Sequence, residues 1–207
     1  MTSKEKKSPS KKEGKCPVCE SRRLWLEHVY FTREVIILVL LGVDKEVYDP
    51  TVKRLLQNQD DIGDWFADKF GNKKEGKAVA DLLKTHIKQA FDIIMTDKDI
   101  TEAGNESETD KEQEKMDGLL DKWHKNAEDI AKGLYNFGKI HKFKWELKPL
   151  SDHMKEHLRL TTDEIIQFTS DEYIASIQTF EKVKDQIINF SDYLVHGITG
   201  KCECGKK

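Results

Sequence analysis

Residues 24–40 read LWLEHVYFTREVIILVL, and the spacing of their apolar residues decides the fold class. Steps of three and four residues place one set of side chains on a single face of an α-helix. This set is Trp25, His28, Thr32, Val35 and Val39. The same period continues along the chain, and almost no stretch alternates between apolar and polar residues as a strand does. The sequence therefore predicts an all-α protein.

Helix start and stop signals divide the chain into six predicted helices. Gly42 and Gly71 each follow an apolar run, and Asp49-Pro50 supplies a cap and a favourable first residue. The predicted helices cover about residues 22–41, 50–71, 74–95, 113–137, 151–169 and 171–196. Six helices that alternate in direction form an antiparallel bundle whose two chain ends meet. A chain of 207 residues, 37% of them hydrophobic, can bury one core, so we expect a single domain over residues 16–204.

Charge sets three further regions apart. Residues 1–15 contain six Lys and two Glu and too little apolar surface to offset the entropy lost on folding, so we expect a disordered basic tail. Residues 205–207 form a second, short basic tail. Residues 97–112 are rich in acids and have no apolar period, and they include Ala103-Gly104-Asn105. We expect a mobile acidic loop there.

Hydropathy argues against a membrane protein. The longest uninterrupted apolar run, Val35 to Leu41, has seven residues, whereas a membrane-spanning helix needs roughly 20. The Lys-rich start of the chain reaches no apolar stretch before Leu24, so it does not match a secretory signal. We therefore expect no membrane association and an intracellular location, nuclear or cytoplasmic.

All four cysteines lie near the ends of the chain. Cys16-Pro17-Val18-Cys19 has the two-residue gap that lets two thiolates of a turn reach one metal ion, and Cys202-Glu203-Cys204 supplies a second pair. In a reducing compartment such thiols are metal ligands more often than disulfides. We expect a structural zinc ion that joins the ends of the bundle through Cys16, Cys19, Cys202 and Cys204. Disulfides between the ends and an iron–sulfur centre are the alternatives.

Five of the predicted helices place a polar residue in the middle of the buried stripe. These residues are His28, Asn58, Gln59, His86, Asn126 and His157, with Glu27 and Asp61 beside them. Because an unpaired buried polar group costs about 1–3 kcal/mol, we expect these groups to meet one another. One interpretation is a hydrogen-bonded layer, and the other is a site for a metal ion or small ligand between facing helices. The Glu-x-x-His spacing of di-iron bundles is absent from the sequence.

The sequence lacks the motifs of the common catalytic classes. No G-x-S-x-G elbow, P-loop, Gly-rich dinucleotide fingerprint or H-E-x-x-H helix occurs. Within residues 4–15, the run KKSPSKK (6–12) resembles a nuclear-import signal or a phosphate-binding arm. The sequence thus favours a non-enzymatic, zinc-stabilised interaction protein whose basic tail contacts nucleic acid or an import receptor. The alternative is a metal- or ligand-binding bundle, and a candidate enzyme, that uses the interior His, Asn and Glu residues.

Four segments resemble a family of small helical bacterial proteins of no established function. They are LWLEHV (24–29) with Thr32-Arg33, LLQNQDDIG (55–63), WHKNAEDI (123–130), and MKEHL (154–158) with Thr161. The likeness covers about residues 24–198 and implies the helical body, but it leaves out the basic tail and both cysteine pairs. With its Lys-rich and Cys-bearing ends, the chain also resembles a protein that a large DNA virus would encode.

Overall fold

The computed structural model describes residues 16–200, and this part of the chain is helical apart from short connections. It forms six α-helices and no strand, which confirms the predicted all-α class. The helices are α1 (Pro17–Leu40), α2 (Lys45–Phe70), α3 (Lys73–Glu102), α4 (Glu106–His141), α5 (Leu147–Thr169) and α6 (Tyr173–Thr199). None of these six helices is long and apolar enough to cross a membrane.

The helices pack as a closed ring. Each helix contacts its neighbours in the sequence, and α6 returns to contact α1. The α1–α6 pair is antiparallel, because Ser21 Oγ lies 2.8 Å from Ser191 Oγ while Arg33, further along α1, lies 3.3 Å from Ser176, nearer the start of α6. The odd-numbered helices α1, α3 and α5 also touch one another across the middle. The centre of the bundle is therefore lined by alternate helices.

Apolar side chains fill most of the interior. The largest fully buried ones are Trp123, Phe66 and Phe190 together with nine aliphatic residues. Trp145, which precedes α5, is buried as well, and its Nε1 donates to the Leu194 carbonyl oxygen at 3.0 Å. This bond attaches the α4–α5 connection to the last turns of α6.

Two glycines bring α2 and α3 unusually close. A Cβ atom added at Gly63 would lie 2.6 Å from the Ala80 Cβ, and one added at Gly76 would lie 2.5 Å from the Ala67 Cβ and 2.7 Å from the Ala67 backbone nitrogen. Contacts this short are far inside van der Waals distance. The crossing therefore requires glycine on both helices.

The predicted acidic loop over residues 97–112 is wrong. Helix α3 continues to Glu102 and α4 begins at Glu106, so a connection of only three residues separates them. The Asn105 side-chain oxygen accepts from the Glu108 backbone N–H at 3.1 Å, and a Glu108 carboxylate oxygen accepts from the Gly104 N–H at 3.1 Å. Asn105 thus caps α4, and the carboxylates of Glu106 and Glu108 in its first turn stabilise the helix N-terminus.

The start of α2 also differs from the prediction. The helix begins at Lys45 and contains Pro50, whereas the sequence favoured a start after Asp49-Pro50. Pro50 is the sixth residue of the helix, beyond the first four N–H groups that have no intrahelical partner, so it removes one intrahelical hydrogen bond, the one to the carbonyl group of Glu46. The loss of this one bond does not prevent the residues before Pro50 from forming a helical turn. The first turn of α2 therefore forms ahead of the proline.

Candidate functional site

A layer of polar side chains crosses the bundle half-way along its length, and every helix contributes to it. We call these six side chains the polar layer. They are His28 (α1), Gln59 (α2), His86 (α3), Asn126 (α4), His157 (α5) and Gln186 (α6). All are at most 8% exposed, so the layer is closed to solvent. Asn58 lies behind Gln59 and is fully buried.

The three histidines meet at the centre. The ring centroids of His28 and His157 are 5.7 Å apart, those of His86 and His157 are 5.9 Å apart, and those of His28 and His86 are 6.5 Å apart. They come from α1, α3 and α5, the helices that touch across the middle. The structure thus brings together three histidines that lie far apart in the sequence.

Each imidazole has an amide beside it from the next helix. Gln59 Nε2 lies 3.2 Å from His28 Nδ1, the Asn126 amide lies beside the His86 ring, and the Gln186 amide lies beside the His157 ring. The helical hairpins α1–α2, α3–α4 and α5–α6 therefore repeat one arrangement, an imidazole on the first helix and an amide on the second. The layer has approximate threefold character.

The amide nitrogens are held by backbone carbonyl groups. Gln59 Nε2 donates to the Leu55 oxygen at 2.8 Å, Asn126 Nδ2 to the Leu82 oxygen at 3.2 Å, and Gln186 Nε2 to the His153 oxygen at 2.9 Å. Behind Gln59, Asn58 Oδ1 accepts from Gln59 Nε2 at 3.1 Å, and Asn58 Nδ2 donates to the Leu24 oxygen at 3.1 Å. These bonds fix the amide nitrogens and leave the amide oxygens uncommitted.

Five buried polar atoms of the layer have no partner in good hydrogen-bond geometry within residues 16–200, although the Asn126 and Gln186 amides are near enough to His86 and His157 to raise the pKa of these rings as hydrogen-bond partners. These five atoms are Gln59 Oε1, Asn126 Oδ1, Gln186 Oε1, His86 Nδ1 and His157 Nδ1. Buried polar groups in native proteins are nearly always paired, so a cluster of unpaired ones calls for an explanation. Other buried polar atoms of the described chain also lack a partner, among them Nε1 of Trp123, whose ring stacks on His86.

Burial keeps the three imidazoles neutral. Desolvation lowers the pKa of His28 to about 3, with a further lowering by His157 and an opposing effect of the Gln59 hydrogen bond. Desolvation lowers the pKa of His157 to about 4 against the opposing effect of Gln186. The pKa of His86 is lowered by desolvation and then by the two other histidines. Each ring therefore offers one nitrogen lone pair near neutral pH.

Glu27 does not belong to the layer, contrary to the prediction. Its carboxylate accepts from Arg23 at 2.5 Å and from Arg54 at 3.0 Å, and Arg54 in turn pairs with Asp61 at 3.2 Å. These ion pairs lie on the partly exposed side of α1 and α2. Glu27 is one residue from His28, and one residue turns a helix by about 100°, which carries its side chain off the buried face.

Gln186 is the member of the layer that the sequence analysis missed. It lies on the buried stripe of α6, between Val183 and Ile187, and is 8% exposed. The signal was the same as for the other helices, a polar residue inside an apolar stripe. With Gln186 included, the sixth helix follows the pattern of the other five.

As the side chains stand, no three His, Cys, Asp or Glu residues within positions 16–200 are arranged to hold a metal ion. Cys16 is half-buried and Cys19 is exposed, both at the start of α1. Cys202 and Cys204 lie outside the described residues, as do the basic tails at 1–15 and 205–207. The four-cysteine zinc site therefore stays a prediction.

Comparison with known proteins adds no family assignment. No protein-family model matches the chain, and no match is found among curated proteins or solved structures. The bacterial and viral resemblances of the sequence therefore stay predictions.

Proposed function

We propose that the protein is a binding protein whose six-helix bundle encloses a metal ion or a small polar ligand in the polar layer. The observation that carries this proposal is the set of five unpaired buried polar atoms around three neutral imidazoles. Each such atom costs about 1–3 kcal/mol when it is left unpaired, so the layer as it stands is expensive for the fold. An occupant that pairs with these atoms removes that cost.

The chemistry of the unpaired atoms indicates the kind of occupant. The three amide oxygens are acceptors, and each neutral imidazole carries one lone pair. The amide nitrogens, in contrast, already donate to carbonyl oxygens. When the three imidazole N–H groups pair with the three amide oxygens, the imidazole lone pairs are left over, and these favour a cation or a hydrogen-bond donor. Each side chain of the polar layer is at most 8% exposed, so the layer has no wide opening to solvent and the occupant has to be small.

The experiment is elemental analysis and native mass spectrometry of the purified full chain, followed by thermal unfolding with metal ions and small polar molecules. A ligand at 100 times its Kd is expected to stabilise the chain by about 2.7 kcal/mol. The variant Asn126→Leu should lose this stabilisation, whereas His124→Gln, at an exposed position of α4, should retain it. If no bound species is found and no compound raises the melting temperature, the layer is a hydrogen-bonded network completed by water, and the proposal fails.

A second candidate function is that of a non-enzymatic interaction protein stapled by zinc. It is supported by the α1–α6 contact, in which Ser21 meets Ser191 and Arg22 Nε donates to Asp192 at 2.7 Å. Because α1 and α6 run antiparallel, the start of α1, where Cys16 and Cys19 lie, is at the same end of the bundle as Thr199, the last residue of α6. Cys202 follows Thr199 by three residues in the sequence, and Cys204 by five. In this proposal one structural zinc ion holds the four thiolates, and residues 4–15 contact nucleic acid or an import receptor.

Two measurements test the second candidate. Cys16→Ser with Cys19→Ser should remove about one zinc ion per chain and lower the melting temperature while helicity is retained, because the bundle has its own core. Electrophoretic mobility shift at low and moderate salt should show binding that weakens with salt and with Lys→Gln changes in residues 4–15. An unchanged melting curve without zinc would refute the staple, and absent nucleic-acid binding together with no nuclear accumulation would refute the role of the tail.

A further inference from the structure

We infer that the occupant of the polar layer is a first-row transition-metal ion bound by His28, His86 and His157, a site separate from the cysteines. This inference rests on the proposed function, because it requires that the layer binds a ligand at all. It identifies the ligand class by three observations, which are the spacing of the rings, the position of the amide oxygens and the charge of the layer.

The ring spacing is close to that of three imidazoles on one ion. With metal–nitrogen distances of about 2.0–2.1 Å, and about 1.2 Å more to the ring centre, two rings on a tetrahedral or trigonal ion have centroids about 5–5.5 Å apart. The observed separations are 5.7, 5.9 and 6.5 Å. Each pair of rings therefore needs to approach by about 0.2 to about 1.5 Å, most for His28 and His86, and all three need to turn toward a common point on the bundle axis.

The unpaired amide oxygens are suited to support metal-bound imidazoles. A histidine that binds a metal through one nitrogen donates a hydrogen bond from the other, and that bond sets its orientation. Asn126 Oδ1 and Gln186 Oε1 have no donor in good hydrogen-bond geometry within residues 16–200, and they belong to the amides that already act as hydrogen-bond partners of His86 and His157. These amides are positioning residues in the inferred site.

Gln59 has to turn before it can play the same role. Its Nε2 lies near His28 Nδ1, but this nitrogen has two hydrogens for three acceptors, which are His28 Nδ1, the Leu55 oxygen and Asn58 Oδ1. Its Oε1 has no donor within the described chain. Rotation of the Gln59 amide would bring Oε1 to the ring, but it would break the hydrogen bonds of Nε2 to the Leu55 oxygen and to Asn58 Oδ1.

The charge of the layer selects among metal ions. The layer consists of neutral imidazoles and amides, and the carboxylate that the sequence suggested, Glu27, is bound to arginines outside it. Calcium and magnesium require carboxylate-rich oxygen ligands, whereas imidazole suits zinc, copper, iron and nickel.

The test uses the full chain with all four cysteines changed to serine, so that the predicted zinc staple cannot contribute. Titration with Co²⁺ should give visible absorption bands whose intensity saturates at one ion per chain. Addition of Zn²⁺ should displace the bound Co²⁺ and abolish these bands. His86→Gln and His157→Gln should each weaken Co²⁺ binding at least 100-fold. Asn126→Leu, which changes only a positioning residue, should weaken it about 10–100-fold. His124→Gln should leave it unchanged.

Circular dichroism of each variant establishes that the helices persist. Saturable binding at one ion that is lost in the layer variants supports the inference. The inference is overturned if Co²⁺ does not bind. It is also overturned if several Co²⁺ ions bind weakly to each chain and the layer variants leave this binding unchanged. If Co²⁺, Zn²⁺ and Cu²⁺ all fail to bind while a small polar molecule still raises the melting temperature, the metal inference is wrong and the proposed binding function stands. If neither a metal ion nor a small polar molecule binds, the metal inference and the proposed binding function are both wrong.

Discussion

At the scale of single residues, Gly63 and Gly76 set the distance between α2 and α3. The atoms that an added Cβ would meet at Gly76 include backbone as well as the Ala67 side chain. Backbone cannot rotate out of the way as the end of a flexible side chain can. A methyl group at this point therefore has to push the two helices apart.

Gly76→Ala should destabilise the protein by about 1–3 kcal/mol, because the cost of overpacking exceeds the helix propensity that alanine adds. The matched control is Gly118→Ala in α4, where an added Cβ meets no atom within 4 Å. That variant should be more stable than the natural chain by about 0.5–1 kcal/mol. Urea unfolding measures both changes. A Gly76→Ala variant as stable as Gly118→Ala would show that the helices separate freely.

The polar layer was largely predictable from individual residues. His28, Asn58, Gln59, His86, Asn126 and His157 interrupt apolar stripes, and this period places them inside a bundle. Glu27 was included wrongly, since its proximity to His28 in the sequence does not make it a neighbour on the buried face. The pairing of each imidazole with one amide depends on the heights at which separate helices pack, and no local period contains that information.

At the scale of the helices, the α3–α4 connection is held by local interactions. The first buried residue of α4 is Met116, about ten residues after the helix begins. The preceding turns are stabilised by the Asn105 cap and by surface ion pairs such as Lys115 with Glu112 at 2.7 Å. Helical turns that are held by a cap and not by burial need no apolar period. Residues 97–112 therefore have a loop-like composition although most of them are helical.

Asn105→Ala should shorten α4 from its N-terminal end. Loss of the cap costs about 1 kcal/mol, and this loss falls on turns that have little burial to compensate. Hydrogen exchange of the amides in residues 106–115 should therefore accelerate, while exchange in the buried half of α4 around Trp123 stays slow. Gln113→Ala, at an exposed position of the same segment, is the control, because it introduces an alanine without removing the cap. Equal exchange in Asn105→Ala and the natural chain would contradict the role of the cap.

At the scale of the whole molecule, a buried ion pair connects three helices. Arg33 of α1 donates to the Glu164 carboxylate of α5 at 2.5 Å and to Ser176 Oγ of α6 at 3.3 Å. The Glu164 side chain is 2% exposed. Desolvation raises the pKa of Glu164 to about 7, although the hydrogen bond and charge of Arg33 act in the opposite direction. The carboxyl group thus changes charge near neutral pH.

This shift predicts a pH dependence of stability with a definite sign. Because the folded-state pKa is above the unfolded value of 4.5, the folded state holds this proton more tightly, and the contribution of Glu164 to stability falls as pH rises from about 4.5 to about 7. The loss is about 3 kcal/mol. The buried histidines, whose pKa is lowered, act in the opposite direction over part of this range, so the comparison with Glu164→Gln is what isolates the Glu164 contribution. Unfolding of Glu164→Gln over this range should lack this contribution, whereas the exposed Glu114→Gln should behave as the natural chain. The prediction is contradicted if the free energy of unfolding changes with pH in the same way for the natural chain and for Glu164→Gln.

The polar layer also constrains how the six helices can align. A helix that slides by one turn moves by about 5.4 Å. This shift would carry its imidazole or amide into apolar surroundings and leave the side chain it pairs with buried and without a partner. Alternative registers are therefore penalised at all six helices at once. Replacing the whole layer with aliphatic residues of matched volume would make the interior more cohesive, yet it would remove the feature that distinguishes one alignment from the next.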